Sequence, residues 1–395
     1  MTESADPSTP YPAPAPWRRR AAAHALALGV IAASVALFHG GTISRALEIR
    51  HAETPMFLQY NRDFVHSLGD CFTAPPVYPG LYRPLSTSCY FYAGRKLFGS
   101  RIAPYKIVNA VIYAANAYLV FLLSALLLPY AWSLFAALLF ASREAHAHVL
   151  LYAIEAQTLL SVFFSLLLLY AFVRARREDR PVLEGLSYAC LVLALFSKEP
   201  AVAMVGVLVV YGWLFDRRFQ YRAYLVHLLL AAGWAHWFFF RFRGAPDARP
   251  VPFQYAFAPG DLLGNYAGYL LDFSNLLVSP REGDPGDLGR TIASLVESTA
   301  FQGAVALAAL ACAFGLVVGR KRGGAHADLV RVVVFGFAFF LLSMAPYAIL
   351  QERLFLRYSY VGHVGLAIAL SAAFALVLHG ARSFAAALRA SAAKR

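Results

Sequence analysis

Charged residues are scarce in this chain, and acidic ones scarcer still: Asp and Glu total 22 against 35 Lys and Arg, and the four types together make up 14% of 395 residues. Soluble domains carry about a quarter, so a water-soluble globular protein is excluded. The 59% of hydrophobic residues and a mean hydropathy of +0.56 indicate an all-α integral membrane protein. Cysteine is rare too, with four in the chain. Cys71 and Cys89 share one long polar loop and are able to pair outside a reducing compartment. Cys190 and Cys312 sit in apolar runs as packing residues. No Cys or His spacing resembles a zinc site, because His146-Ala147-His148 places its two rings on different helix faces. No metal is therefore expected. No internal repeat is visible, which counts against transporter folds built from repeats.

What is present is a series of apolar runs separated by short polar segments. A Pro-, Ser- and Ala-rich start cannot bury a core, so residues 1–20 read as a disordered cytoplasmic tail ending in Arg18, Arg19 and Arg20. The next run, 21–38, is too long for a signal-peptide core and lacks a small-x-small cleavage site, which favours a retained first helix. Further runs at 103–128, 131–141, 153–173, 183–197, 201–215, 223–240, 291–318, 332–350 and 361–378 bring the expected number of transmembrane helices to ten.

The net charge of +13 does not indicate nucleic acid, because the basic residues cluster in the connections between apolar runs. With the amino terminus inside, the cytoplasmic segments are 129–130, 174–180, 216–222, 319–331 and a basic carboxyl tail at 382–395, and four of these five are basic. The membrane domain then spans 21–381, with long extracytoplasmic loops at 40–100 and 241–290. The remaining outer segments are 142–148, 198–199 and 351–360. Nearly every ionisable residue that is not a topology signal falls on that outer side.

Those residues form four groups. Lys198-Glu199 stands between two apolar runs, where ionised side chains are costly and usually functional; at the end of a helix it suits an anionic lipid headgroup. The first loop carries Glu53 and Asn61-Arg62-Asp63, and a carboxylate just after a transmembrane helix can serve as a base toward a hydroxyl at the membrane surface. Arg143, Glu144, His146 and His148 make a polar island able to hold sugar hydroxyls or phosphate. Glu352, Arg353 and Arg357 reach the same surface as Lys198. Asn265, Tyr266, Tyr269 and Asp272 fit an amphipathic helix lying on the membrane.

Three short motifs are ordered along the chain: Tyr82-Arg83-Pro84-Leu85, Phe196-Ser197-Lys198-Glu199, and Glu352-Arg353 followed by Tyr358 to Gly362. In these the chain resembles the multi-spanning GT-C glycosyltransferases, specifically the transmembrane and tetratricopeptide-repeat O-mannosyltransferases and their bacterial relatives. The resemblance runs from Glu53 to Leu378 and lacks the repeats. It implies transfer of a sugar, mannose in the namesake family, from a polyprenyl-phosphate carrier to a protein or glycan acceptor, without a further cofactor. It also implies a bacterial inner membrane with the site on the periplasmic side. By the same resemblance Glu53 is the catalytic base, with Asp63 or Glu144 as alternatives. Lys198 and Arg353 hold the carrier phosphate and Arg83 organises the first loop. His146, His148, Glu144, Glu199 and Glu352 support them. The chain departs from the family at Thr54, where a second acid is usual, and in the island, where only His146 of the histidine-proline pattern remains. Two other classes stay open: a transporter or flippase of a lipid-linked sugar, and a silent relative that binds the carrier.

Overall fold

A computed structural model describes residues 17–48, 53–77, 81–216, 221–238, 240, 257–273, 325–350 and 356–392. Among them the fold is all helical. Fourteen α-helices are described: α1 Trp17–Glu48, α2 Glu53–Phe64, α3 Asp70–Thr73, α4 Tyr90–Phe98, α5 Ala103–Ala125, α6 Tyr130–Ala141, α7 Ala147–Leu151, α8 Ala156–Glu178, α9 Pro181–Ser197, α10 Met204–Phe215, α11 Arg222–Phe238, α12 Pro259–Phe273, α13 Ala325–Ala348 and α14 Leu356–Ala392.

Among the described residues, five segments are long and apolar enough to cross a membrane: Ala21–Glu48, Ala103–Ala125, Ala153–Glu178, Ala327–Ala348 and Arg357–Arg382. A sixth is Tyr130–Ala141 with Glu144–Leu151, bent by 56° at Ser142 and Arg143. This is fewer than the ten expected. Pro181–Ser197 and Glu199–Phe215 are apolar but shorter than the roughly 20 residues of a full crossing. The run 291–318 and most of the loop 241–290 lie outside the described residues.

Local sequence explains where these helices stop and start. Proline at the first turn opens α5 and α9, where its missing N–H costs nothing. Asp179 closes α8 in the left-handed conformation (φ 50°), and Arg176 and Arg177 occupy the last turn, where the helix dipole favours cations. α1 begins at Trp17, inside the expected tail 1–20 whose first sixteen residues lie outside the described ones, and α14 continues to Ala392, as the high helix propensity of the alanine-rich 381–392 favours.

Packing sets how close the helices come. Between α13 and α14, Gly336 faces Gly365, and a Cβ on Gly336 would stand 2.5 Å from the Gly365 carbonyl oxygen. Small residues at such a crossing let two backbones touch. Asn116 on α5 adds polar bonds across the bundle, its Nδ2 donating to Leu159 O and to the Tyr360 hydroxyl, both at 3.0 Å.

The expected first loop is largely helical and has a small core of its own. Phe57 stacks on Phe91 and Phe91 on Tyr105, and the cluster closes on Ala153 and Ile154. Asn61 ties α2 to the next segment, its Nδ2 donating to Phe57 O and Thr87 O at 3.0 Å each. This seats α2 against the turn Ala153–Glu155. The stretch expected to be an amphipathic helix is the helix α12. That helix packs on α13 and α14, Asn265 donating to Ala348 O (2.7 Å) and Leu350 O (3.0 Å) and Tyr266 to Leu341 O (2.8 Å). Its polar side faces protein because the carbonyls past the end of α13 need donors.

Gly365→Val is expected to lower the stability of the purified protein by about 1–3 kcal/mol, the usual cost of overpacking. Gly380→Val, on the same helix with open space around it, is the control and should change little. Thermal unfolding in detergent measures both.

Candidate functional site

The site is built on the break between α9 and α10. Ser197 ends α9, Lys198 is extended (φ −162°, ψ 134°), and Glu199–Ala203 makes a 3₁₀ turn before α10. Pro200 contributes to the break, because it has no N–H to donate to the Phe196 carbonyl and continue α9. One residue of extended chain turns the two side chains in different directions.

Glu199 faces the first loop. Arg83 donates to it from Nε (2.8 Å to Oε1, 2.9 Å to Oε2) and from Nη2 (2.6 Å to Oε2), and from Nη1 to Gln157 Oε1 at 2.5 Å. Both charged side chains are largely buried, 13% and 18% exposed, so the fork geometry and the low dielectric strengthen the pair. Beside it Ser86 Oγ donates to Ser197 O at 2.7 Å. The Tyr82–Ser86 segment is thus docked on the helix break. Tyr82 itself packs edge-on against Trp237 and donates to Phe72 O at 2.9 Å, and burial pushes its hydroxyl up to about 12.

Lys198 turns into the bundle and is 4% exposed. Its Nζ donates to Thr158 Oγ1 at 2.8 Å, and Thr158 Oγ1 donates to Glu155 Oε2 at 2.6 Å. Arg357 reaches Glu155 Oε1 at 3.3 Å. The ammonium also faces the rings of Tyr347 and Tyr358, 5.6 Å and 5.2 Å from their centroids, a placement that ring quadrupoles favour. Around it is a pocket whose walls include Thr158, Ser161, Ser165, Met204, Tyr347 and Tyr358. Three cations, Arg83, Lys198 and Arg357, therefore share two carboxylates, Glu155 and Glu199, in this cluster.

The other expected residues fall in several places. Asp63 is exposed and paired with Arg62 at 3.2 Å, and Glu144 is exposed as well, so neither alternative acid faces this pocket. Glu352 and Arg353 lie outside the described residues, as does the side chain of Glu53. Glu53 nevertheless opens α2, the helix seated against Ala153–Glu155, and its neighbour Thr54 is buried. His148 stacks on Tyr152. His146 belongs to a separate buried cluster with Tyr113 and His363. The expected island is thereby divided, because Arg143 turns to Phe273, donating to its carbonyl at 2.8 Å. Cys71 and Cys89 are side by side with their thiols in contact and are not bridged. Cys312 lies outside the described residues.

Glu155, Gln157 and Thr158 escaped the sequence reading. Glu155 was detectable: it is a lone carboxylate at the start of an apolar run, as costly there as Lys198. Thr158 and Gln157 give no such signal. No group of His, Cys, Asp and Glu suited to a metal occurs among the described residues. No family model matches the chain, and no curated protein is significantly similar to it. Composition and helices establish an integral membrane protein in contact with lipid, and the chemistry rests on the site alone.

Glu199→Gln would leave the Arg83 guanidinium without its counter-charge, and a stability loss of about 3 kcal/mol is expected. Arg83→Met combined with Glu199→Leu should recover most of it. Thermal unfolding of the single and double variants distinguishes a buried ion pair from a surface one, for which the single change would cost under about 1 kcal/mol.

Proposed function

We propose that the chain is a GT-C-type membrane glycosyltransferase that moves one sugar from a polyprenyl-phosphate carrier to a protein or glycan acceptor on the outer side of a bacterial inner membrane, within a ten-span topology. The observation that carries the reading is the gathering of Arg83, Lys198 and Arg357 beside tyrosine faces and hydroxyls within an apolar bundle. A polyprenyl phosphate has the matching chemistry, an anionic head on an apolar tail.

In this reading Glu53, at the start of α2, takes the proton of the acceptor hydroxyl. The acceptor oxygen bonds to the anomeric carbon, and the bond from that carbon to the phosphate oxygen breaks. The leaving phosphate gains charge as this happens, and Lys198, Arg357 and Arg353 stabilise it. Glu155 holds the Lys198 side chain in place through Thr158 when no donor is bound. Arg83 and Glu199 are positioning residues that hold the first loop, and so α2, over the pocket. Mannose is the first sugar to test.

Transfer from labelled polyprenyl-phosphate mannose to membranes of cells lacking the gene provides the assay. Lys198→Ala and Arg357→Gln should each lower transfer by roughly 10²-fold or more, the scale for losing a donor to a developing anion. Glu53→Gln should abolish it, while Asp63→Asn and Glu144→Gln should stay within about two-fold, as exposed groups away from the chemistry do. Unchanged transfer in both Lys198→Ala and Glu53→Gln sinks the assignment. Movement of the lipid across vesicles without any glycosylated product would instead identify a flippase.

A further inference from the structure

The first loop holds two thiols that the transferase reading does not use. Cys71 lies on α3 and is 2% exposed, and Cys89, half-buried, ends the turn Pro84–Cys89 that leads into α4. Each is held by bonds of its own segment. At α3 the Asp70 carboxylate accepts the backbone N–H groups of His66 and Ser67, both at 2.8 Å, and Asp70 N–H donates to Ser67 Oγ at 3.2 Å. Cys71 Sγ donates to Ser67 O at 3.7 Å. In the other segment Thr87 donates to Arg83 O from Oγ1 (2.7 Å) and from N (2.9 Å), and Asn61 fixes Thr87 O. The Tyr82 hydroxyl, bonded to Phe72 O at 2.9 Å, joins the two segments beside the sulfurs. The fold thus brings the thiols into contact without a covalent bond between them.

We propose that Cys71 and Cys89 form a disulfide-exchange site, at which Cys89 takes a small external disulfide and Cys71 resolves the product into an intramolecular bridge. Access sets the order, because Cys89 is the more open of the two. In the first step the Cys89 thiolate attacks one sulfur of the external disulfide, forming a mixed disulfide and releasing one thiolate. In the second the Cys71 thiolate attacks the Cys89 sulfur of that mixed disulfide, and the other half of the external disulfide leaves as a thiolate. Two cysteine S–H bonds and the external S–S bond are lost, and one protein S–S bond and two small thiols are formed. The two electrons pass from the cysteine sulfurs to the external disulfide, and the two protons end on the released thiols.

The surroundings favour the bridge over the dithiol. Burial pushes both thiols up, Cys89 to about 12, and the charge acting on Cys71 is the Asp70 carboxylate, which disfavours a second anion. The other titratable groups facing the pair are the Tyr60 and Tyr82 hydroxyls, whose own ionisation burial also opposes. A bridge is strongly oxidising where its reduced form is stabilised as a thiolate, and these neighbours do the opposite. The bridged sulfurs carry no charge and no donor, so burial costs them nothing in unmet bonds. Once closed, the ring 71–89 contains Tyr82 and Arg83. The segment docked on the break between α9 and α10 is then tied covalently to α3.

The bridge is independent of the transferase reading and is tested without any transfer assay. The full-length protein in detergent is reduced, freed of reductant and incubated with oxidised glutathione at about pH 8.5, where more thiolate is present than at neutrality. It is then alkylated and digested with chymotrypsin under non-reducing conditions. Mass spectrometry should find the Cys71 and Cys89 peptides joined, and separate again after reduction, while Cys190 stays unlinked. In Cys71→Ser a glutathione adduct should remain on Cys89. In Cys89→Ser the adduct on Cys71 should form at least about ten-fold more slowly, because access limits exchange. Both cysteines alkylated or both carrying glutathione in the wild type, a link to another cysteine or to a second molecule, or equal adduct rates in the two variants would each overturn the proposal. If a serine variant does not fold, the wild-type linkage alone decides it.

Discussion

The arrangement of the site depends on one constraint: a charge inside an apolar bundle must be met by another charge or by a fixed dipole. Arg83 and Glu199 satisfy it across 116 residues of sequence, with a fork of bonds that few other geometries allow. That single pairing joins the first loop to the break between α9 and α10. With Ser86 bonded to Ser197 O and Asn61 bonded to Thr87 O, the loop is held at three places, and α2 comes to rest on the turn that carries Glu155.

The same constraint shapes the pocket. Lys198 is buried, and it is stabilised by a hydroxyl, two aromatic faces and, through Thr158, the carboxylate of Glu155. Arg357 completes the group from α14. Because α14 also meets α13 at the glycine pair, its register is set tightly, and with it the positions of Arg357, Tyr358, Ser359 and His363. A shift of one helix would disturb both polar clusters together.

A membrane protein of apolar helices joined by polar segments was legible in composition and hydropathy, and Lys198 stood out as a charge flanked by apolar runs, while Arg83 stood out only through its motif. The number of crossings was less legible. Short apolar runs such as 131–141 and 201–215 have the hydropathy of a span without its length, and whether they continue past a bend is a matter of backbone geometry. Glu199 illustrates the limit for the site: its neighbour in sequence is Lys198, yet its partner is Arg83. The polar island around His146 also read as one unit, and the structure sends Arg143 to Phe273 and His146 to His363.

What the sequence by itself determined is the class of protein and the short stretches where charge is costly, because hydropathy and unfavourable burial are properties of local composition. Only the tertiary structure decided which of those charges meet. Partners such as Glu155 with Arg357, or His146 with His363, come from helices far apart in the chain, and their distances depend on helix rotation and crossing. Those are set by packing at places like Gly336 and Gly365, where the sequence shows only two small residues.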